Sequence, residues 1–401
     1  MKVLYLANGL PHYFNLVLTR LNSVPGLEVV VVAPREGGRY IGEGVFQSRA
    51  GIGFRVVELP EYSNRFYAGF RGLTALILRE RPDVIVFPEH LLGGFFLHPG
   101  LALARRLVGA RLMLKSIPFR LPDYETARER LAATPPPASL AGKALDALGL
   151  RPLLLRALLE MRAHWFRAID GHVNYIDDGH KVFGSYGVAP SRIFVTRNSP
   201  DTDAMARTEA ALRASPNPPQ RRAQRLLHVG RLVSDKRVDL LLDAMPLVRD
   251  KLPQVELVIV GDGPQRSEFE ARAARLGLAG VVRFAGPIYD PLELGREFMG
   301  AAVFVLPGLG GLSINEAMFY GLAIVCASGD GTEKHLVREG ENGAFFRGDD
   351  RQSLAEAIVR VVAQPQQLER MGARSRQIID REVNIGTVIE AYRRAFASAC
   401  A

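Results

Sequence analysis

The chain has 401 residues, 48% of them hydrophobic, a formal net charge of +9 and two cysteines, Cys326 and Cys400. Domains run to about 100–200 residues, so two are expected. The apolar content excludes long disorder, and the cysteines exclude a disulfide framework and a zinc-finger spacing. No run reaches the roughly 18 uncharged apolar residues of a membrane-spanning helix. The opening "MKVLYLANGLPHYF" reads as a strand and a polar turn rather than a secretory leader, so a cytoplasmic location is expected. The basic residues are scattered and not packed in one tract. That points away from nucleic acid and toward phosphate-bearing ligands and a membrane surface.

In chain order, "KVLYLA", "LEVVVVAP", "FRVVEL", "PDVIVFPE" and "ARLMLKSIP" read as strands. Short valine-rich apolar runs suit a parallel sheet covered on both faces. "LVLTRLNSVPG" and "GLTALILRERP" between them read as crossover helices. A helical insertion is expected over about 121–167. It contains the loop signal "AATPPPASLAG" and a helix over Pro152–Ile169. On that helix Leu154, Leu158, Met161 and Trp165 form one stripe, widened by Leu155, Leu159 and Phe166, with Arg156, Glu160, His164 and Arg167 opposite. The stripe suits either a core helix or a basic helix at a membrane surface. "GHVNYID" and "SRIFVTRNSPDTD" close the first half.

The polar, proline-rich "RASPNPPQRRAQR" marks a connection over 206–225. Strands "RLLHVGR", "VELVIVGDGP", "VVRFAGPI", "AAVFVLPG" and "LAIVCAS" then alternate with helices "DLLLDAMPLVRDKLP", "QRSEFEARAARLG", "SINEAMFYG" and "RQSLAEAIVRVVAQP". The α/β rhythm predicts two doubly wound, Rossmann-like domains facing a cleft. The expected divisions are 1–205, the connection 206–225, 226–381, and a C-terminal helix over 382–401 that packs back on the first domain.

Three loops of the second half carry chemistry. Arg231 and Lys236 follow a strand that ends at Val229–Gly230. A guanidinium fork and a compact ammonium there suit a diphosphate, although such cations are also often simply solvated. Gly261-Asp262-Gly263-Pro264 lacks the third glycine of a dinucleotide fingerprint and reads as a tight turn. In "LPGLGGLSINEAMFYG", Gly310 and Gly311 let backbone approach a ligand, and the following helix start favours an anion. Glu316 would repel a phosphate. It suits neutral hydroxyls such as a ribose diol, or serves as a helix-dipole charge.

Taken in order, Gly230-Arg231 with Lys236, Gly261 to Pro264, Phe284 with Gly286, Gly311-Leu312 with Glu316-Ala317, and Thr332-Glu333 with Glu341-Asn342-Gly343 resemble the retaining GT-B glycosyltransferases of family 4, the "glycosyl transferases group 1" type. The resemblance spans roughly Leu226 to Arg374. "GVAPSRIFVTRNSPDTD", with Asn198 and Asp201, resembles the family more loosely. The resemblance implies transfer of a sugar, with retention, from a nucleotide-diphosphate donor to a saccharide or lipid-linked hydroxyl acceptor, in cell-surface polysaccharide or glycolipid synthesis. It implies that Arg231 and Lys236 hold the diphosphate and that Glu316 holds the ribose. Gly230, Gly261, Gly263, Gly310, Gly311, Leu312 and Ser313 would lie along the donor, and the base would pack near Phe284, Gly286, Pro287 and Ile288. No metal and no cofactor are implied, and no Asp-x-Asp stands near a strand end.

Two departures stand out. The family usually has a second glutamate eight positions before Glu316, where this chain has Gly308. A side chain at 308 would be strained if its φ were positive. The family also often has a histidine after the strand "LMLK", where this chain offers Ser116, with Lys115 and Arg120 nearby. Acceptor-side candidates are His12, Glu89, His90, Ser116 and Arg120, each at a place where doubly wound domains gather ligand groups. A non-catalytic donor-binding or partner subunit and a sugar-nucleotide epimerase are the rival readings. A lipid-linked acceptor would place the protein at the inner face of the membrane.

Overall fold

The computed structural model describes residues 1–35, 47–134, 148–329 and 331–400. The chain divides into two compact units, Met1–Arg197 with Val388–Ala401, and Asn198–Thr387. In the first unit the strands are β1 (Lys2–Leu6), β2 (Glu28–Pro34), β3 (Arg55–Leu59), β4 (Glu61–Ser63), β5 (Ala68–Phe70), β6 (Val84–Pro88), β7 (Arg111–Lys115), β8 (Gly171–Asn174) and β9 (Ile193–Val195). Seven of them form one sheet in the order β3-β2-β1-β6-β7-β8-β9, while β4 and β5 make a separate hairpin. The seven-stranded sheet is parallel throughout, with Leu4 opposite both Val30 and Ile85. Helices cover both faces, which is why β2 has no polar alternation: Val29 to Val32 are all buried.

The second unit has β10 (Arg225–Val229), β11 (Glu256–Val260), β12 (Val282–Gly286), β13 (Val303–Leu306), β14 (Ala323–Ala327) and β15 (Gly343–Phe346). Their order is β12-β11-β10-β13-β14-β15, and every pair is parallel. In each sheet the chain first winds one way from its first strand and then continues from that strand's other side. The switch points are β1/β6 and β10/β13. Ligand groups in such sheets gather at the carboxyl ends of the strands that flank a switch point.

Two expectations change. The stretch 206–225 is not a connection between units. Its first part lies in a helix, Thr202–Arg213, wholly within the second unit. Asp201 caps that helix by accepting from the Ala204 N–H at 3.0 Å, and Leu212 is buried in the core. The proline-rich signal begins only after that anchor, and the units change over between Arg197 and Asn198. The helix over Arg151–Ala168 also turns a different face inward. Leu159, Ala163 and Phe166 are buried, and Trp165 stacks on Phe96 at 5.4 Å. Leu153, Leu154, Leu158 and Met161 stay exposed, Leu153 to 64%, so the Leu154-Leu158-Met161 stripe is not core. The loop signal at 132–142 lies mostly outside the described residues. A helix over Pro365–Glu382, which the sequence reading left out, packs Met371, Ile378 and Ile379 into the second core. Among the described residues no helix is long and apolar enough to cross a membrane.

Candidate functional site

The loops after β10 and β13 flank the second switch point, and they are joined. The chain leaves β10 through Gly230 and Arg231 into a single turn, Ser234–Lys236. From that turn the Lys236 ammonium donates to the carbonyls of Leu309 at 2.7 Å and Gly310 at 2.8 Å. The Leu309 N–H returns a bond to the Asp235 carbonyl at 2.8 Å. Gly308 lies at the closest point of this contact. A Cβ there would stand 2.1 Å from the Asp235 oxygen and 2.7 Å from the Lys236 carbonyl carbon. Its φ is not among the positive ones. The bar to a side chain is therefore the neighbouring backbone, not a left-handed conformation.

The "GDGP" turn after β11 serves the same packing. Gly261, at φ 139°, would place a Cβ 1.9 Å from the Gly230 oxygen. The Leu232 N–H donates to Asp262 at 2.9 Å, and the Gln265 N–H donates to Leu232 at 3.1 Å. Gly261 and Gly263 thus let two loops touch, so the turn reading of this motif accounts for its glycines. Next to it, Phe284 packs inward against the core, and Gly286 accepts from the Gly261 N–H at 2.9 Å. Phe284 is half-buried there. Pro287 and Tyr289 are exposed and Ile288 is half-buried.

Glu316 stands in the helix Ser313–Phe319, which opens directly after Gly310, Gly311 and Leu312. Among the described residues its carboxylate makes no hydrogen bond or ion pair. Loss of solvent raises it to about 7. Arg231 is exposed and Lys236 half-buried. Further along, Glu333 is fully buried, in a short helix Thr332–Leu336. Asn342 ties its own turn, accepting from the Arg338 N–H at 2.7 Å and donating to the Leu336 carbonyl at 3.1 Å. That motif position is structural.

One group at this site escaped the sequence reading. His228, in β10, is fully buried and stacks on Phe304 at 6.4 Å with rings 7° apart. Its Nδ1 lies 2.9 Å from the Val305 carbonyl, which assigns the ring proton to Nδ1. Among the described residues Nε2 is buried without a hydrogen-bond partner and faces the Gly230 turn, 3.3 Å from where a Cβ at Gly230 would be. Burial lowers the imidazole to about 4, against the Val305 bond, with Lys236 adding to the depression. The only sequence signal was a polar residue at a central position of an apolar strand.

In the first unit the acceptor-side candidates follow three adjacent strands, β1, β6 and β7. His12 opens the helix His12–Asn22 and is exposed. Glu89 is in an ion pair with Arg162 at 2.6 Å. Burial raises its carboxyl and Arg162 lowers it. Burial alone lowers His90 to about 4. The Ser116 hydroxyl is buried and donates to Asn174 Oδ1 at 2.8 Å. Arg120 ends a single turn, Pro118–Arg120. The structure thus brings these residues to one sheet edge, with Glu89 and Ser116 committed to protein partners. No cluster of three or more His, Cys, Asp or Glu side chains suited to a metal occurs among the described residues.

The chain is 28% identical over 243 residues to a D-inositol 3-phosphate glycosyltransferase of Thermomonospora curvata, covering 55% of this chain and 56% of that one. It is 30% identical over 178 residues to the lipopolysaccharide core biosynthesis glycosyltransferase LpsE of Rhizobium meliloti, covering 43% and 49%. The chain spans about half the length of the curated relatives it matches. Over nearly full length it superimposes on Anabaena Alr3699/HepE in complex with UDP, with TM-score 0.65, 17% identity, and coverage of 99% and 100%. A sucrose-phosphate synthase of Thermosynechococcus elongatus gives TM-score 0.62 at 17% identity, with 99% of each chain covered. Both units have the Rossmann-like architecture of these GT-B structures, and residues 213–378 match the family model for glycosyl transferases group 1.

Proposed function

We propose that the protein is a metal-independent, retaining glycosyltransferase of family 4 that moves a hexosyl group from a nucleotide-diphosphate donor to a hydroxyl acceptor. The observation that carries the reading is the Lys236 ammonium bonded to the loop of Leu309 and Gly310. It sits at a sheet switch point, in loops that carry an exposed Arg231 and lead into the helix of Glu316, whose carboxylate makes no hydrogen bond with any described residue. The two cations would meet the diphosphate, and Glu316 would accept from both ribose hydroxyls. The glycosidic C–O bond to the phosphate breaks while the acceptor oxygen bonds the anomeric carbon from the same side. The acceptor proton passes to the departing phosphate oxygen. Catalysis then rests on positioning and on stabilising the leaving diphosphate. The Anabaena protein has been solved with UDP-glucose, so a UDP-sugar is the first donor to try.

The acceptor is a saccharide or a lipid-linked saccharide of cell-surface polysaccharide or glycolipid synthesis. It would be met at the inner face of the membrane, where the exposed Leu153, Leu154 and Leu158 would give peripheral contact. A donor-binding subunit without transfer activity is the second reading. It is favoured by Gly308, which has no room for a sugar-gripping side chain, and by the commitment of Ser116 to Asn174. A thermal-shift screen of UDP, GDP and ADP and then their sugars tests the donor site. A ligand at 100 times its Kd stabilises by about 2.7 kcal/mol. Turnover of the best sugar donor by the pure protein then separates the two readings. No shift with any nucleotide would remove both.

A further inference from the structure

The second unit has a cavity of about 510 Å³, within the roughly 300–1,000 Å³ common for small-ligand sites. Segments meeting there include the end of the helix Thr202–Arg213, the proline-rich stretch at Pro219 and Arg221, the turn at Tyr320 and Gly321, and the helix Pro365–Glu382. That turn follows the helix Ser313–Phe319, whose other end opens after Gly310, Gly311 and Leu312. Seven residues make a helix about 10 Å long. The cavity and the loop bonded by Lys236 therefore lie at opposite ends of one short helix. Gly372 brings the helix Pro365–Glu382 onto the turn, since a Cβ there would stand 2.2 Å from the Gly321 oxygen.

Three guanidinium groups line this cavity, those of Arg213, Arg221 and Arg376. Arg213 donates to the Glu209 carboxylate from Nε at 3.2 Å and from Nη2 at 2.7 Å. Arg376 donates from Nη1 to the same carboxylate at 2.8 Å and to the Phe319 carbonyl at 2.9 Å, and it lies 4.1 Å over the Phe319 ring. Its Nε turns to Asp380. Among the described residues Arg221 donates only to carbonyls, those of Tyr320 and Gly321. A guanidinium has five N–H donors, and Arg213 Nη1, Arg221 Nε and Arg376 Nη2 make no hydrogen bond with any described residue. Glu209 thus serves two of the three cations, while Glu369, the other carboxylate on the lining, is exposed. The lining keeps an excess of positive charge and N–H donors to spare. Forked donors of this kind match the oxygens of a phosphate, and Met299, Phe319 and Tyr320 give an apolar lining for the organic part of an ester. We infer that Arg213, Arg221 and Arg376 form an anion site for a phosphate monoester at the end of the helix Ser313–Phe319 remote from Gly310. The site does not depend on the proposed glycosyl transfer.

The test uses the full chain with its Arg213→Gln, Arg221→Gln and Arg231→Ala variants, each checked for folding by far-UV circular dichroism. The Arg213 side chain is 68% exposed, so Arg213→Gln is expected to fold even if Arg221→Gln, which loses the bonds to the turn, does not. The probe is glycerol 1-phosphate at constant pH and ionic strength, read by thermal shift. Excluded anions stabilise any fold alike, so the readout is the difference between wild type and variant. Wild type should show a saturable rise in its melting midpoint. Arg213→Gln should need at least tenfold more ester for the same rise, and Arg231→Ala should respond as wild type does. No rise in wild type, or the same rise in Arg213→Gln, overturns the site. Loss of the response in Arg231→Ala alone places the ester at the loop after β10 and overturns it too. Failure of UDP to shift wild type, with the Arg213-dependent rise intact, removes the donor reading instead and leaves this site standing.

Discussion

The ammonium of Lys236 and the carbonyl of Gly310 are joined by a 2.8 Å hydrogen bond, so the two loops that frame the β10/β13 switch point are tied to one another. The same cation that would face a diphosphate also holds the loop that would lie along it. Lys236 and Arg231 should therefore fail differently when removed.

Lys236→Ala is expected to cost both stability and rate. Charge-assisted bonds to partly exposed carbonyls contribute about 1–2 kcal/mol, and removal of a donor to a leaving group costs about 10²–10³ in rate. Arg231→Ala should lose a similar factor in rate with stability within about 0.5 kcal/mol of wild type, because Arg231 is exposed. Denaturant midpoints and initial rates of the two variants, side by side, check this. Near-wild-type turnover in both would show that the diphosphate lies elsewhere.

Gly308→Ala should destabilise the second unit by about 1–3 kcal/mol, since its Cβ meets the Asp235 backbone. Gly308→Glu should do no better and should not restore a grip on the sugar. With no side chain at 308, the sugar adds little to donor binding. Apolar contact discriminates by only about 10–200-fold. Competition between UDP and its cognate sugar donor measures this. A donor bound more than about a hundredfold more tightly than UDP would contradict it.

His228 gives the second unit an acid-sensitive core. A free imidazole titrates near pH 6.5, whereas burial holds His228 down to about 4. Below about pH 6.5 the unfolded chain takes up a proton that the fold refuses. The stability present above that pH is lost as pH falls toward 4, by about 2 kcal/mol at pH 5. His228→Phe keeps the ring against Phe304 and removes the titration. Unfolding free energies at pH 7.5 and pH 5 should differ less in the variant by that amount; identical pH slopes would show that His228 is already charged or accessible.

Glu316 acts in the opposite direction. Its folded carboxyl sits at about 7 against an ordinary 4.5, so the fold binds the proton more tightly than the unfolded chain does. Stability falls as pH rises from about 4.5 through 7. Glu316→Gln should remove that slope and leave the ligand-free protein more stable at pH 8. It should also weaken ribonucleotide binding by about tenfold, as one acceptor oxygen is lost from a pair, and weaken a 2′,3′-dideoxynucleotide much less. Equal losses for both nucleotides would exclude a ribose role.

The parallel strands were legible because burial on both faces makes them continuous apolar runs, as in Val29–Val32. The hairpin β4–β5 was not, since three-residue strands carry no period. β15 hid inside a glycine motif, where Gly343 closes on the Ile324 carbonyl. The connection at 206–225 was misplaced because its prolines begin after Leu212, whose burial no local signal announces. At the site, the order of Arg231, Lys236 and Glu316 was visible. The bond from Lys236 to the Gly310 loop was not, because it joins residues 74 positions apart. His228 and Lys115 each looked like one polar letter at or beside an apolar strand. Their spatial neighbours, Phe304 for His228 and Phe14 for Lys115, are not encoded in spacing.

The central claim is retaining transfer at the loops tied by Lys236. The most direct test is to incubate the pure protein with UDP-glucose, or with whichever sugar donor shifts its melting, and to follow the released or transferred sugar by proton NMR from the first turnover. The account predicts a first-formed product with the donor's α configuration, together with stoichiometric nucleoside diphosphate, and at least a hundredfold slower release in Lys236→Ala. A first-formed β-anomer, or unchanged release by the Lys236→Ala variant, would contradict it.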